Sequence, residues 1–96
     1  MRLGDLITVK VGNENADFWV IRRGSINTLG NSTHQYNPEH FGITVKRTDV
    51  LLPEYAFYMF QHLCASGYFK PKARGVLELK NILASDITNI ELGEPK

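Results

Sequence analysis

A single cysteine, Cys64, occurs among the 96 residues. One thiol cannot form an intramolecular disulfide, and every zinc spacing built on paired cysteines is excluded. Cys64 sits in the apolar segment FQHLCASG, which predicts a buried, unreactive thiol. Long hydrophobic runs are also missing: none approaches the roughly 20 residues a membrane helix needs. The opening MRLGDLITVK carries an early Asp5, has no apolar core and offers no small-residue cleavage site, so it does not read as a secretory signal. These absences predict a cytoplasmic protein with no membrane partner. Charge of one sign is scarce too. Eleven Lys and Arg against 10 Asp and Glu leave a net charge of +1, so no global field draws the protein to a polyanion. Neither GxGxxG nor GxxxxGK[ST] occurs, so the usual phosphate-cradling loops are excluded. His34, His40 and His62 lack the helical spacing of a zinc protease, and no Ser or Cys stands in a nucleophile context. No cofactor or metal is expected, and a non-enzyme is the leading reading.

What the chain does have is the composition of an ordinary globular domain, 43% apolar and 22% charged, and residues 1–96 are read as one such domain. LITVKV (6–11) alternates apolar and polar residues like a half-buried strand. Gly12-Asn13 follows as a turn signal. FWVIRR (18–23) and FGITVKR (41–47) are further strands. The polar connection GSINTLGNSTHQYNPEH, from Gly24 to His40, is too long for a casual loop and is expected to be functional or mobile. Pro53 suits a first helical position, Glu54 suits the positive end of the helix dipole and Gly67 is a natural stop. The aromatic-rich run EYAFYMFQHLCAS between them predicts a central helix over about residues 53–66. Ala56, Phe60 and Leu63 define its core face, widened by Phe57 and Cys64. Tyr55, Tyr58 and Met59 leave so little polar surface that burial on more than one side is expected. His62 is read as structural. GVLELK then predicts a short strand, Leu79 to Ser85 a helical turn, and DITNIEL a closing strand. The class is α+β, with a mixed or antiparallel sheet of short strands packed on one helix.

Charge is unevenly spread. From Arg22 to Lys80, eight Lys and Arg stand against four Asp and Glu, a local +4. The two ends together carry three basic and six acidic residues, a net −3. Lys70, Lys72, Arg74 and Lys80 punctuate YFKPKARGVLELK with Glu78 as the sole acid. Such cations either grip a polyanion or keep a loop solvated. Arg22, Arg23, Lys46 and Arg47 extend the positive surface only in part, because adjacent strand residues point to opposite faces.

LGDLITVKVGN resembles the opening of a target-recognition domain from a type I restriction-modification specificity subunit. VKRTDVLLPEYAFYMFQHLCASGYF is similar to that family's strand-into-helix passage. ARGVLELKNILASDITNIEL resembles its closing signature: a Gly-headed turn, an apolar pair, a short helix, an acidic residue and an I-x-x-I-x-L strand. The resemblance implies a non-catalytic α/β unit that reads half of a bipartite duplex DNA site and works with methyltransferase and restriction subunits. By the same analogy, Lys70, Lys72 and Arg74 would lie near the DNA backbone, with Lys80 and Arg47 extending the contact. Asn31, Ser32, His34, Gln35 and Asn37, in the long loop, would read bases. Family members carry two recognition domains separated by long helical spacers. This chain has one such domain and no heptad-like segment, so it is expected to be a stand-alone remnant, a mobile-element product or a re-purposed fold.

Two other readings remain. One is a protein-interaction module or homodimer that no longer binds DNA, anchored by Trp19, Tyr36, Tyr68 and Phe69. The other is a small hydrolase or ligand-binding enzyme with His34, His40 and Glu39 converging in a pocket.

Overall fold

A computed structural model describes residues 1–76 and 79–93. Leu77 and Glu78, which belong to the GVLELK strand expected from the sequence, lie outside the described residues, as do the last three positions of the expected domain. The fold is α+β, with two antiparallel sheets and one main helix.

The larger sheet grows from the alternating segments. β1 (Ile7–Val11) pairs along its whole length with β5 (Phe41–Val45), placing Ile7 opposite Val45 and Val9 opposite Ile43. β2 (Phe18–Val20) takes the other edge of β5, with Phe18 facing Ile43 and Val20 facing Phe41. The two-residue β4 (Ser32–Thr33) completes the order β1-β5-β2-β4. Asp17 locks the entry to β2: its carboxylate accepts the Val45 N–H at 2.8 Å, and its own N–H donates to Ile43 O at 2.9 Å.

α1 (Pro53–Ala65) lies against β2 and β4. Pro53 opens it, and the close is a paired turn in which Tyr68 N–H donates to Leu63 O at 3.0 Å and Gly67 N–H to Cys64 O at 3.1 Å. These bonds satisfy carbonyls that a helix end would otherwise leave without partners. Ala56, Phe57 and Phe60 are the buried face. Phe18 meets Phe57 edge-on at 5.6 Å and Phe60 at 5.9 Å between ring centroids, while Phe60 stacks with Phe69 at 6.5 Å. The helix is less enclosed than its apolar sequence suggests. Tyr55 and Tyr58 are 67% and 63% exposed. A Tyr hydroxyl tolerates water, so an aromatic helix need not be covered on every side.

The second sheet has the order β3-β7-β6, made from β3 (Arg23–Gly24), β6 (Arg74–Val76) and β7 (Leu79–Asn81). The connection from Gly24 to His40 therefore contains parts of both sheets. Its turn is pinned inward by fully buried Leu29. At Gly30, φ is +83°, and a Cβ would stand 2.0 Å from the Phe69 ring, so only glycine fits there.

The C-terminal region departs from the sequence expectation. Leu79 and Lys80 are strand, as GVLELK predicts, and Asn81 continues that strand instead of a helical turn. The short helix α2 (Ala84–Thr88) begins in the expected turn at Ala84 and runs on over Asp86, Ile87 and Thr88, which were expected to be strand. Ile87 and Ile90, both buried, sit three residues apart, which is helical spacing. The Asp86 carboxylate accepts the Leu83 N–H at 2.8 Å and starts the turn. What remains of the expected closing strand is the bridge of Glu91 to Arg2, beside which Leu3 N–H donates to Ile90 O at 2.8 Å.

Candidate nucleic-acid interface

The cations proposed from the sequence fall into separate settings. Lys70 and Lys72 lie on a single 3-10 turn, Lys70–Lys72, which leads into β6. Lys70 is exposed. Lys72 is half-buried, with Nζ 4.9 Å from the centre of the Tyr68 ring, a cation–π contact. Arg74 opens β6 and is exposed. Lys80 is half-buried in β7, and its ammonium donates to Gly75 O at 3.4 Å.

The register of the small sheet decides which of these act together. Residues directly opposite in antiparallel strands share a face. Asn81 stands opposite Arg74 on one side and Arg23 on the other, giving the row Arg23–Asn81–Arg74. Lys80 stands opposite Gly24 and Gly75, giving the row Gly24–Lys80–Gly75 on the reverse face. Arg74 and Lys80 thus do not present their charges together, contrary to the expectation of one shared cationic side. Gly75 has φ of +120°, and a Cβ there would stand 2.7 Å from Leu79 O. The reverse face is shaped around this missing side chain.

Arg47 is engaged elsewhere. Its Nε and Nη2 donate to the two Asp49 carboxylate oxygens at 3.0 and 2.9 Å. That hydrogen-bonded pairing raises the guanidinium pKa and lowers the carboxyl pKa from their ordinary values. Its charge is largely balanced within the protein. Among the described residues, no carboxylate comes within 4.0 Å of Lys70, Lys72, Arg74, Lys80 or Arg23.

The proposed base readers divide as well. Ser32 is buried, and its hydroxyl donates to Phe57 O at 2.6 Å, tying β4 to α1. It has no surface from which to read a base, and its assignment as a reader is corrected to a structural anchor. The Asn31 side-chain oxygen accepts the Ser32 N–H at 3.1 Å. His34 lies flat on Phe57, with centroids 4.0 Å apart and planes 2° from parallel. Asn37 closes a local turn by accepting the Glu39 N–H at 2.8 Å. Gln35 is exposed, with its backbone N–H bonded to Thr33 Oγ1 at 3.1 Å.

The aromatics named as interface anchors are mostly core. Trp19 and Phe69 are buried, Tyr68 is half-buried, and only Tyr36 is substantially exposed, packed edge-on against Trp19 at 5.8 Å. Exposed apolar side chains include a group at Val50, Leu52, Tyr55 and Tyr58, around the start of α1, and others at Val11, Leu79 and Leu83. Val50 and Tyr55 also border a cleft of about 280 Å³ shared with Met1, Met59 and Leu92. Cys64 is half-buried, and its thiol donates to Asn27 O at 3.4 Å. Burial pushes its pKa up, opposed by the Lys70 ammonium. Burial lowers the pKa of His40, opposed by Glu39. Among the described residues, no three His, Cys, Asp or Glu side chains are grouped to hold a metal ion, and no helix is long and apolar enough to cross a membrane.

Two residues of the row Arg23–Asn81–Arg74 stand outside the sites expected from the sequence: Asn81, which was not singled out, and Arg23, which was counted only as a partial extension of the positive surface. Arg23 was visible as a cation, but its pairing with a strand near the other end of the chain was not. Asn81 fell inside a segment expected to be helical. Comparison with family models, with curated proteins and with solved structures returns no match to this chain.

Proposed function

We propose that this protein is a stand-alone, non-catalytic, duplex DNA-binding module resembling a restriction-modification specificity domain. One observation carries the reading. Lys70, Lys72 and Arg74 occupy consecutive alternate positions on a 3-10 turn and the edge strand it enters, with no described carboxylate within 4.0 Å. Cations so placed neutralise backbone phosphates and release counterions, which supplies affinity independent of sequence. Exposed Gln35 and half-buried Asn31 carry amide groups of the type that pairs with base edges. The test is titration of a fluorescent duplex at about 50 and 200 mM salt. Binding that weakens steeply with salt, and weakens further in Lys70→Ala/Lys72→Ala, is expected. No binding at the lower salt concentration defeats the proposal.

A second reading is self-association without DNA binding. It draws on Leu52, Tyr55 and Tyr58, which are 63%, 67% and 63% exposed around one end of α1. A solution mass of two chains that reverts to one in Tyr55→Ser/Tyr58→Ser would favour it.

A further inference from the structure

We propose that the row Arg23–Asn81–Arg74 is the element that enters the DNA major groove, with Asn81 pairing to a base edge and the two arginines holding phosphates on either side. This rests on the DNA-binding reading above and names residues that reading does not use. Adjacent strands lie about 4.8 Å apart, so the outer two members of a three-strand row are separated by about 10 Å at the backbone. The major groove is about 12 Å wide and admits a two-stranded β-ribbon, so the central strand with Asn81 would enter it while the outer strands stand at its phosphate walls. β3 and β7 hold two and three residues, so the ribbon is short enough to seat across the groove rather than along it.

The three side chains suit the three tasks. An Asn amide offers a donor and an acceptor side by side and can pair with the N6 and N7 atoms of adenine. Asn81 is half-buried, which limits its freedom before binding, whereas Arg23 and Arg74 are exposed and long enough to reach outward. A guanidinium makes charge-assisted, paired hydrogen bonds to phosphate oxygens. The reverse row, Gly24–Lys80–Gly75, has one side chain, and its ammonium folds back onto Gly75 O. Only the arginine face therefore carries an acceptor–donor group between two cations. Lys70 and Lys72 lie on the 3-10 turn that leads into β6.

The experiment begins with selection of a preferred duplex from a randomised library by the whole chain. The selected duplex, a scrambled duplex and a duplex RNA are then titrated across the same salt range. Arg23→Gln/Arg74→Gln is expected to weaken both DNA duplexes alike and to reduce the slope of log affinity against log salt by about 1.8, the value for two phosphates. Asn81→Ala is expected to leave that slope unchanged and to reduce the preference for the selected duplex by about 5- to 150-fold. Asn81→Leu, of about the same size and uncharged, repeats the test, and far-UV circular dichroism checks the fold of each variant. Duplex RNA is expected to bind more weakly, because its major groove is too narrow and deep to enter. Arginine variants that keep the full slope, Asn81 variants that keep the full preference, or equal affinity for duplex RNA each overturn this inference while leaving the DNA-binding reading in place. Failure of the unmodified chain to bind any duplex overturns both.

Discussion

The two sheets are built from opposite materials. The four-stranded sheet and α1 share an interior of Phe18, Val20, Ile43, Phe57 and Phe60, in which ring meets ring and apolar side chains fill the space between strands. The three-stranded sheet pairs Arg23, Gly24, Arg74, Gly75, Lys80 and Asn81, together with Val76 and an exposed Leu79, so most of its paired residues are polar or glycine. Its support comes from its surroundings, where Leu29, Phe69 and Ile82 are buried and Ile82 N–H donates to Arg22 O at 3.0 Å. The lesson is a division of labour. Side-chain burial stabilises the first sheet. Backbone pairing and the buried residues around it hold the second, which leaves Arg23 and Arg74 exposed.

Substitutions in the two regions should therefore separate stability from binding. The largest effect is expected from Phe60→Ala, which empties a fully buried site touching two other rings. It should cost about 3–5 kcal/mol and lower the thermal midpoint by more than about 12 °C, read by circular dichroism. Ser32→Ala should cost about 1–3 kcal/mol in a urea titration, because Phe57 O loses its buried donor. DNA affinity should be unchanged in that variant, and a selective loss of base preference would restore Ser32 as a reader and blur the contrast between the sheets. The smallest effect concerns His40. Its folded pKa lies below the ordinary 6.5 because burial disfavours the imidazolium. The unfolded chain then binds the proton more readily, so stability is full above about pH 6.5 and declines as the pH falls through that value toward the folded one. His40→Gln should flatten the decline between pH 7 and 5, and an unaltered profile would assign it to other groups.

Much of the larger sheet was legible because its signals are local. Alternation in LITVKV and FGITVKR named β1 and β5, and Pro53 and Gly67 bracketed α1 to within a residue or two. The closing segment was misread because Ile87 and Ile90 fit a helical turn and DITNIEL also looks like a strand; Asp86, by accepting the Leu83 N–H, settles the matter. The candidate site was legible as an inventory of cations and not as an arrangement. Nothing around Arg47 announces that Asp49 engages both of its donating nitrogens. Nothing around Ser32 announces a partner on α1, and the aromatics Trp19 and Phe69 look the same in sequence whether they anchor an interface or fill a core.

Composition, periodicity and punctuation were enough to settle the α+β class, the main helix and the identity of the cations, because each depends on residues near one another along the chain. Which cations share a face is a different kind of question. Arg23 and Arg74 come together through Asn81, while Lys80, one bond along from Asn81, is turned to the reverse side. A shift of one residue in strand register would exchange these roles without altering a single amino acid, so the arrangement exists only once β3, β6 and β7 have paired.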